Sequence, residues 1–182
     1  LICLPEAASF LAASRAQLAQ RAEWEDNSAS QKKLAAVACQ HNVWLLAGSL
    51  FLRRRQDHKL VNRGVLFAPD GKIVANYDKI HMFDVKINNK EKHQESFLFR
   101  AGNKITYTKI NNIKIGMTIC YDLRFPSLYR QLAKKDCSII LVPAAFTRPT
   151  GKDHWEVLNR SRAIENNLFI VATGMCGNHH MK

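Results

Sequence analysis

Residues 113–142 read IKIGMTICYDLRFPSLYRQLAKKDCSIILV, and this stretch decides the fold. Ile113 to Ile119 is β-rich and runs directly into Cys120. Ser127 to Lys135 carries a short helical pattern, and Ser138 to Val142 is an apolar run of core-strand length. Strand, helix and strand in succession argue for a layered domain of the α/β class. Working outward, Asn111-Asn112 turns the chain between Thr106 and Ile119, so these residues read as a hairpin. Asn62 to Asn76 repeats the device around Pro69-Asp70-Gly71. Before it, Leu1 to Leu4 is a buried-strand candidate stopped by Pro5. Gln31 to Gln40 puts Leu34, Val37 and Ala38 on one helical face, and Val43 to Leu50 is an apolar strand. At the far end, Asp153 opens a helix with Glu156 in capping-box position. That helix runs to Asn166-Asn167, and the strand Leu168 to Thr173 follows. Residues 84–104 are the only long irregular stretch. With no internal repeat and no linker, a single domain over 1–182 is expected.

The composition narrows the class of protein. At 182 residues and 47% hydrophobic, the chain has enough apolar surface for a sizeable core and is not disordered. No apolar run approaches the roughly 20 residues that span a bilayer, so no membrane partner is expected. No basic segment precedes an apolar stretch at the start, as a secretory signal requires. Position 1 is not Met, and Leu1 to Pro5 reads as a strand already under way, so a chain beginning inside its domain is expected. The five cysteines (Cys3, Cys39, Cys120, Cys137 and Cys176) are odd in number and form no C-x-x-C pair, which points to a reducing, cytoplasmic compartment. All but Cys120 sit in apolar runs or on an apolar helical face and read as small buried thiols. The net charge of +12 raises the question of nucleic acid. The basic residues are scattered, however, and Arg53-Arg54-Arg55 reads as a solvated turn after a strand, so no nucleic-acid partner is expected.

Three residues occupy suggestive positions. Cys120 lies where a buried-type strand ends and the polar loop Tyr121-Asp122-Leu123-Arg124 begins. The carboxyl ends of strands are where open α/β sheets bind ligands. A thiol there, beside charge and backbone N–H groups, reads as a thiolate nucleophile, with a buried structural cysteine as the alternative. Glu6 is a carboxylate at a strand end in a segment otherwise free of charge; the alternative is a surface residue opening a helix. Lys79, in Tyr77-Asp78-Lys79-Ile80-His81, also follows a strand arm, and taken alone it reads as a solvated lysine. If all three are functional, they converge at one rim of a sheet.

Leu4-Pro5-Glu6, Tyr77 to Asp84 and Ile119 to Pro126 together resemble the three signature segments of the nitrilase superfamily of carbon–nitrogen hydrolases. They occur in the right order, at plausible spacings, and the resemblance covers essentially the whole chain. It implies a four-layer α-β-β-α sandwich, here incomplete at both termini. It also implies Glu6 as general base, Lys79 as oxyanion-stabilising acid and Cys120 as nucleophile, with Glu95, in Gln94-Glu95-Ser96, as a second glutamate. His154 to Leu158, Arg160 to Glu165 and Cys176 to His180 resemble the branch of deaminated glutathione amidases and omega-amidases. That branch hydrolyses the terminal amide of a small carboxylate-bearing substrate. Tyr121 would then lend its backbone N–H to the oxyanion, and Arg124 and Arg148 could hold the carboxylate. No cofactor and no metal is implied, although His179-His180 near Cys176 is a weak metal-like cluster. Subunits in this family pair through helices, so a homodimer or larger homo-oligomer is expected, with the helix beginning at Asp153 as a contact. The competing readings are a catalytically disabled binding or assembly module of the same fold, and the basic nucleic-acid binder.

Overall fold

The computed structural model describes residues 1–86, 92–177 and 179. In chain order its elements are β1 (Ile2–Cys3), α1 (Arg15–Arg21), β2 (Glu23–Trp24), α2 (Ala29–Gln40), β3 (Leu45–Leu46), β4 (Leu50–Arg53), β5 (Leu60–Phe67) and β6 (Ile73–Asp78). There follow β7 (Asp84–Lys86), β8 (Lys92–Gln94), β9 (Thr106–Ile110), β10 (Ile113–Met117), α3 (Pro126–Ala133), β11 (Ile139–Ala144), α4 (Arg148–Asn166) and β12 (Phe169–Gly174).

Two sheets carry the molecule. In the first, β5 pairs antiparallel with β3, β4 and β6, while β1 runs parallel to β3 and β2 to β4. In the second, β9 and β10 form an antiparallel hairpin, and β10, β11 and β12 run parallel. Strand side chains alternate between faces, and this alternation assigns the layers. Leu66 of β5 and Leu141 of β11 share one buried cluster with Tyr77, Ile115 and Met117, where the two sheets face each other. Their neighbours point outward. Val65 and Phe67 pack with Ala38, Leu34 and Val37 of α2, and Ile140 and Val142 pack with Leu128 and Leu132 of α3 and Leu158 of α4. The order of layers is α-β-β-α, as expected. Each fully buried Leu or Ile in these seams contributes about 1.5–3 kcal/mol.

Several local expectations change. The apolar run Val43 to Leu50 is not one strand. Gly48 takes φ +65, and a Cβ there would stand 2.0 Å from the carbonyl oxygen of Pro5. The chain therefore kinks, and β3 and β4 pair with opposite halves of β5. The last long helix starts at Arg148, with Thr147 as N-cap and Pro149 in its first turn, where its missing N–H costs nothing. Asp153 and Glu156 are thus interior helix positions, not a capping box. The helix ends where Asn167 adopts the left-handed conformation, φ 51. Residues 84–104 hold the β7–β8 pair and a 3₁₀ turn at Glu95–Phe97. Cys39 and Cys176 are exposed, while Cys137 is buried. Cys39 is therefore not part of the core.

The Arg53-Arg54-Arg55 cluster is spent on local structure. Arg53 donates to the carbonyls of Ala19 and His58, Arg54 pairs with Asp57, and Arg55 donates to Asp26. Among the described residues, no helix is long and apolar enough to cross a membrane.

Candidate active site

Each key side chain is delivered by the end of a strand. Glu6 follows β1, and the next residue, Ala7 (φ 56), turns the chain inward with its N–H on Ser49 Oγ at 2.9 Å. Lys79 follows β6; its N–H donates to the carbonyl of Asn62 at 2.9 Å, and its carbonyl accepts from Gly102 at 2.8 Å. Glu95 opens the 3₁₀ turn after β8. Cys120 follows β10 and starts a 3₁₀ turn over Cys120–Arg124, with φ 48. A left-handed non-glycine residue costs on the order of 1–2 kcal/mol, so something must hold it there.

That support is Asp122, which is fully buried. Its Oδ2 accepts from the N–H of Ile119 at 2.9 Å and from the Tyr77 hydroxyl at 2.8 Å. Its Oδ1 accepts from the N–H of His81 at 3.0 Å and lies 2.7 Å from His81 Nδ1. Burial and the Asp122 carboxylate push the Tyr77 phenol well above its ordinary range, so it remains a donor. Two strand ends, those of β6 and β10, are tied to one carboxylate, and the Cys120 turn is fixed by them.

Glu6, Lys79 and Glu95 form a contiguous ion cluster. Lys79 Nζ donates to Glu6 Oε1 at 3.0 Å and to Glu95 Oε1 and Oε2 at 3.1 and 2.9 Å. Ala145 N–H donates to Glu6 Oε2 at 2.9 Å, and Phe83 N–H to Glu95 Oε2 at 2.7 Å. Cys120 shares the cavity wall with Glu6, and each bears on the other's protonation. Burial disfavours the charged form of Glu6, but Lys79, the Cys120 thiol and the Ala145 N–H outweigh it and hold the carboxyl below its usual range. Lys79 pays the same burial, yet the two glutamates raise it well above an ordinary lysine. For Cys120, burial and the Glu6 charge outweigh Lys79, so its thiol is pushed well up. This corrects the reading of a resting thiolate. Burial and Glu6 favour the neutral thiol, beside a carboxylate that can take its proton.

These groups share the wall of a cavity of about 350 Å³, together with Tyr121, Arg124, Phe83 and Phe146. Arg124 reaches His154 Nδ1 at 3.1 Å and lies over the Tyr121 and Phe146 rings. Arg148 is exposed at the start of α4 and is not on that wall; its place as a cavity arginine is taken by Arg15 of α1. Asn62, which bonds both glutamates, and Asp122 were not singled out from sequence. The available signal for each was a polar residue inside, or directly after, a buried-type run. Among the described residues no group of three or more His, Cys, Asp or Glu is placed to hold a metal ion, and His180 lies outside the described residues.

A four-layer sandwich whose strand ends bring a glutamate, a lysine and a cysteine into one cavity defines a hydrolase-type fold, and comparison places the chain within it. The carbon–nitrogen hydrolase family model matches residues 1–182, and the chain belongs to that family. It is 39% identical over 181 residues to the deaminated glutathione amidase of Yersinia enterocolitica, covering 98% of this chain and 63% of that one. It is 36% identical over 142 residues to the human omega-amidase NIT2, covering 78% of this chain and 51% of that one. The crystal structure of the C. elegans NitFhit protein superposes with a TM-score of 0.87 at 32% identity, over 98% of this chain and 44% of that one. The chain spans 57–66% of the length of the deaminated glutathione amidases it matches.

Proposed function

We propose that this chain carries the catalytic centre of a thiol amidohydrolase, acting on the terminal amide of a small carboxylate-bearing molecule. The observation that carries the reading is Cys120 sharing one cavity wall with Glu6, whose carboxylate is held by Lys79 Nζ at 3.0 Å. Glu6 takes the thiol proton as sulfur attacks the amide carbon. The developing oxyanion is met by Lys79 and the Tyr121 N–H. Glu6 returns the proton to the amine, ammonia leaves, and a thioester remains on Cys120. Glu6 then activates water against that thioester, and the carboxylic acid departs. Atoms balance as amide plus water giving acid plus ammonia. Glu95 orients Lys79.

Arg124 is our candidate for holding the substrate's distal carboxylate, with its guanidinium on the cavity wall. The amidase names of the relatives support this substrate class. We further propose a homo-oligomer in a reducing, cytoplasmic compartment. Five unpaired cysteines and the exposed Val157 and Ile164 on α4 support that reading.

The test is turnover of a panel of small amides by the full-length protein, with hydroxylamine quenching to trap an acyl group on Cys120. Amides with a distal carboxylate should react fastest, and Cys120→Ala should release no ammonia. Activity retained in Cys120→Ala, or activity abolished by a chelator and restored by zinc, overturns the mechanism. An intact fold with no turnover on any amide favours a binding module.

A further inference from the structure

Asn62 is fully buried on β5, opposite Phe51 of β4, and the sequence motifs gave it no role. Its Nδ2 donates to Glu6 Oε1 at 2.9 Å and to Glu95 Oε1 at 3.1 Å. Lys79 Nζ bonds the same two oxygens at 3.0 and 3.1 Å. Donors and carboxylate oxygens therefore alternate around a closed ring of four atoms. The amide oxygen of Asn62, Oδ1, is buried and has no hydrogen-bond partner among the described residues. Leaving an acceptor unpaired is unfavourable, so the side chain's orientation is set by its two N–H bonds. Glu6 and Glu95 bond to it and Lys79 bonds both of them, while Cys120 lines the same cavity. Arg63, next on the strand, is engaged with Asp78 and Glu25.

Counting acceptor sites shows what this ring does. A carboxylate has about four lone-pair sites. Glu95 receives Lys79 on both oxygens, Asn62 on Oε1 and Phe83 N–H on Oε2, which leaves no site for a proton. Glu6 Oε1 is filled by Lys79 and Asn62, whereas among the described residues Oε2 receives the Ala145 N–H and keeps a site open. Two adjacent carboxylates ordinarily share one proton. Asn62 fills the sites through which this pair would do so with N–H groups that cannot be given up.

We propose that Asn62 is a positioning residue that divides the labour of the two glutamates, keeping Glu95 out of proton transfer and making Glu6 Oε2 the sole acceptor of the Cys120 proton. This rests on Cys120 and Glu6 acting as a thiol and base pair, as in the function proposed above.

The experiment is the rate of iodoacetamide alkylation of Cys120 against pH in the full-length protein, located by peptide mass analysis, for wild type, Asn62→Leu and Asn62→Ser. It needs no amide turnover. In wild type the acid limb should fall with unit slope, one proton being taken. In Asn62→Leu the limb should move up by about one pH unit, slowing alkylation up to about tenfold there, because Glu6 and Glu95 can then share the proton that Asn62 kept off their facing oxygens. Asn62→Ser, with one hydroxyl donor, should fall between. In a Glu95→Gln background, Asn62→Leu should move the limb little. A slope of two in wild type, an unmoved limb in a folded Asn62 variant, or the same shift in both backgrounds overturns the proposal. A lower melting temperature with the wild-type pH profile marks a merely structural role and also overturns it. If neither variant folds, the wild-type slope still decides. If alkylation behaves as stated but no amide is hydrolysed, the amidase reading fails and the assignment of Asn62 stands.

Discussion

At the scale of single residues, the chemistry turns on where one proton rests. Cys120 is a neutral thiol at working pH because burial and Glu6 both oppose its ionisation. In the mechanism we propose, nucleophilicity thus arises during attack, through Glu6. Replacing Glu6 by Gln should lower turnover by about 10²- to 10⁴-fold, the usual worth of a positioned base, while circular dichroism shows the fold retained. The pH dependence follows from the same shifts. Glu6 is held below its usual range, so activity should be lost only as pH falls below the ordinary range of a glutamate carboxyl. The raised Cys120 and Lys79 give no loss as pH rises through the neutral range. An acid limb of kcat/KM near pH 6 would contradict this. Substrate binding can be separated from chemistry at the two arginines. Arg124→Ala should raise KM for an amide bearing a distal carboxylate by tenfold or more, a charge-assisted bond being worth about 1.5–3 kcal/mol. Arg148→Ala, off the cavity wall, should leave KM within about twofold.

At the scale of elements, the site depends on a kink. Gly48 breaks an apolar run into β3 and β4, and the gap admits the carbonyl of Pro5, placing Glu6 over the strand ends. Gly48→Ala would set a methyl group 2.0 Å from that oxygen, in a backbone conformation that L residues rarely adopt. We expect a loss of about 2–4 kcal/mol in urea unfolding, with Glu6 displaced and activity lost in whatever remains folded. A second support is Asp122, which joins β6, the segment after it and the Cys120 turn through four contacts. The hairpins around Asp70-Gly71 and Asn111-Asn112 formed where their turn residues put them, because a turn is specified by its own few residues. The start of α4 did not. Thr147 and Pro149 open it with no side-chain cap bond, so local capping signals pointed to Asp153 instead.

At the scale of the whole molecule, apolar surface lies bare where the sheets end. Phe169 is 74% exposed on β12, an edge strand, and Ile164 on α4 is 80% exposed. Ile2 on β1, at an edge of the other sheet, is also exposed. Unpaired edges with apolar faces associate with other chains. The 182-residue chain alone should therefore sediment as a self-associating species and melt below a version extended to the length of its relatives. A monodisperse monomer of equal stability would refute this. What the sequence determined by itself was the kind of layering and the strand ends, because apolar periodicity and turn chemistry are local. The resemblance of its three motifs then supplied the candidate set of Glu6, Lys79, Glu95 and Cys120. Only the tertiary structure decided which groups bear on one another. It put Asn62 between two glutamates distant in sequence, hung the Cys120 turn on Asp122, and kept the thiol protonated through burial. It also put Arg15 rather than Arg148 on the cavity wall. Hydrogen-bond partners and desolvation depend on residues brought together from across the chain, and no local pattern records them.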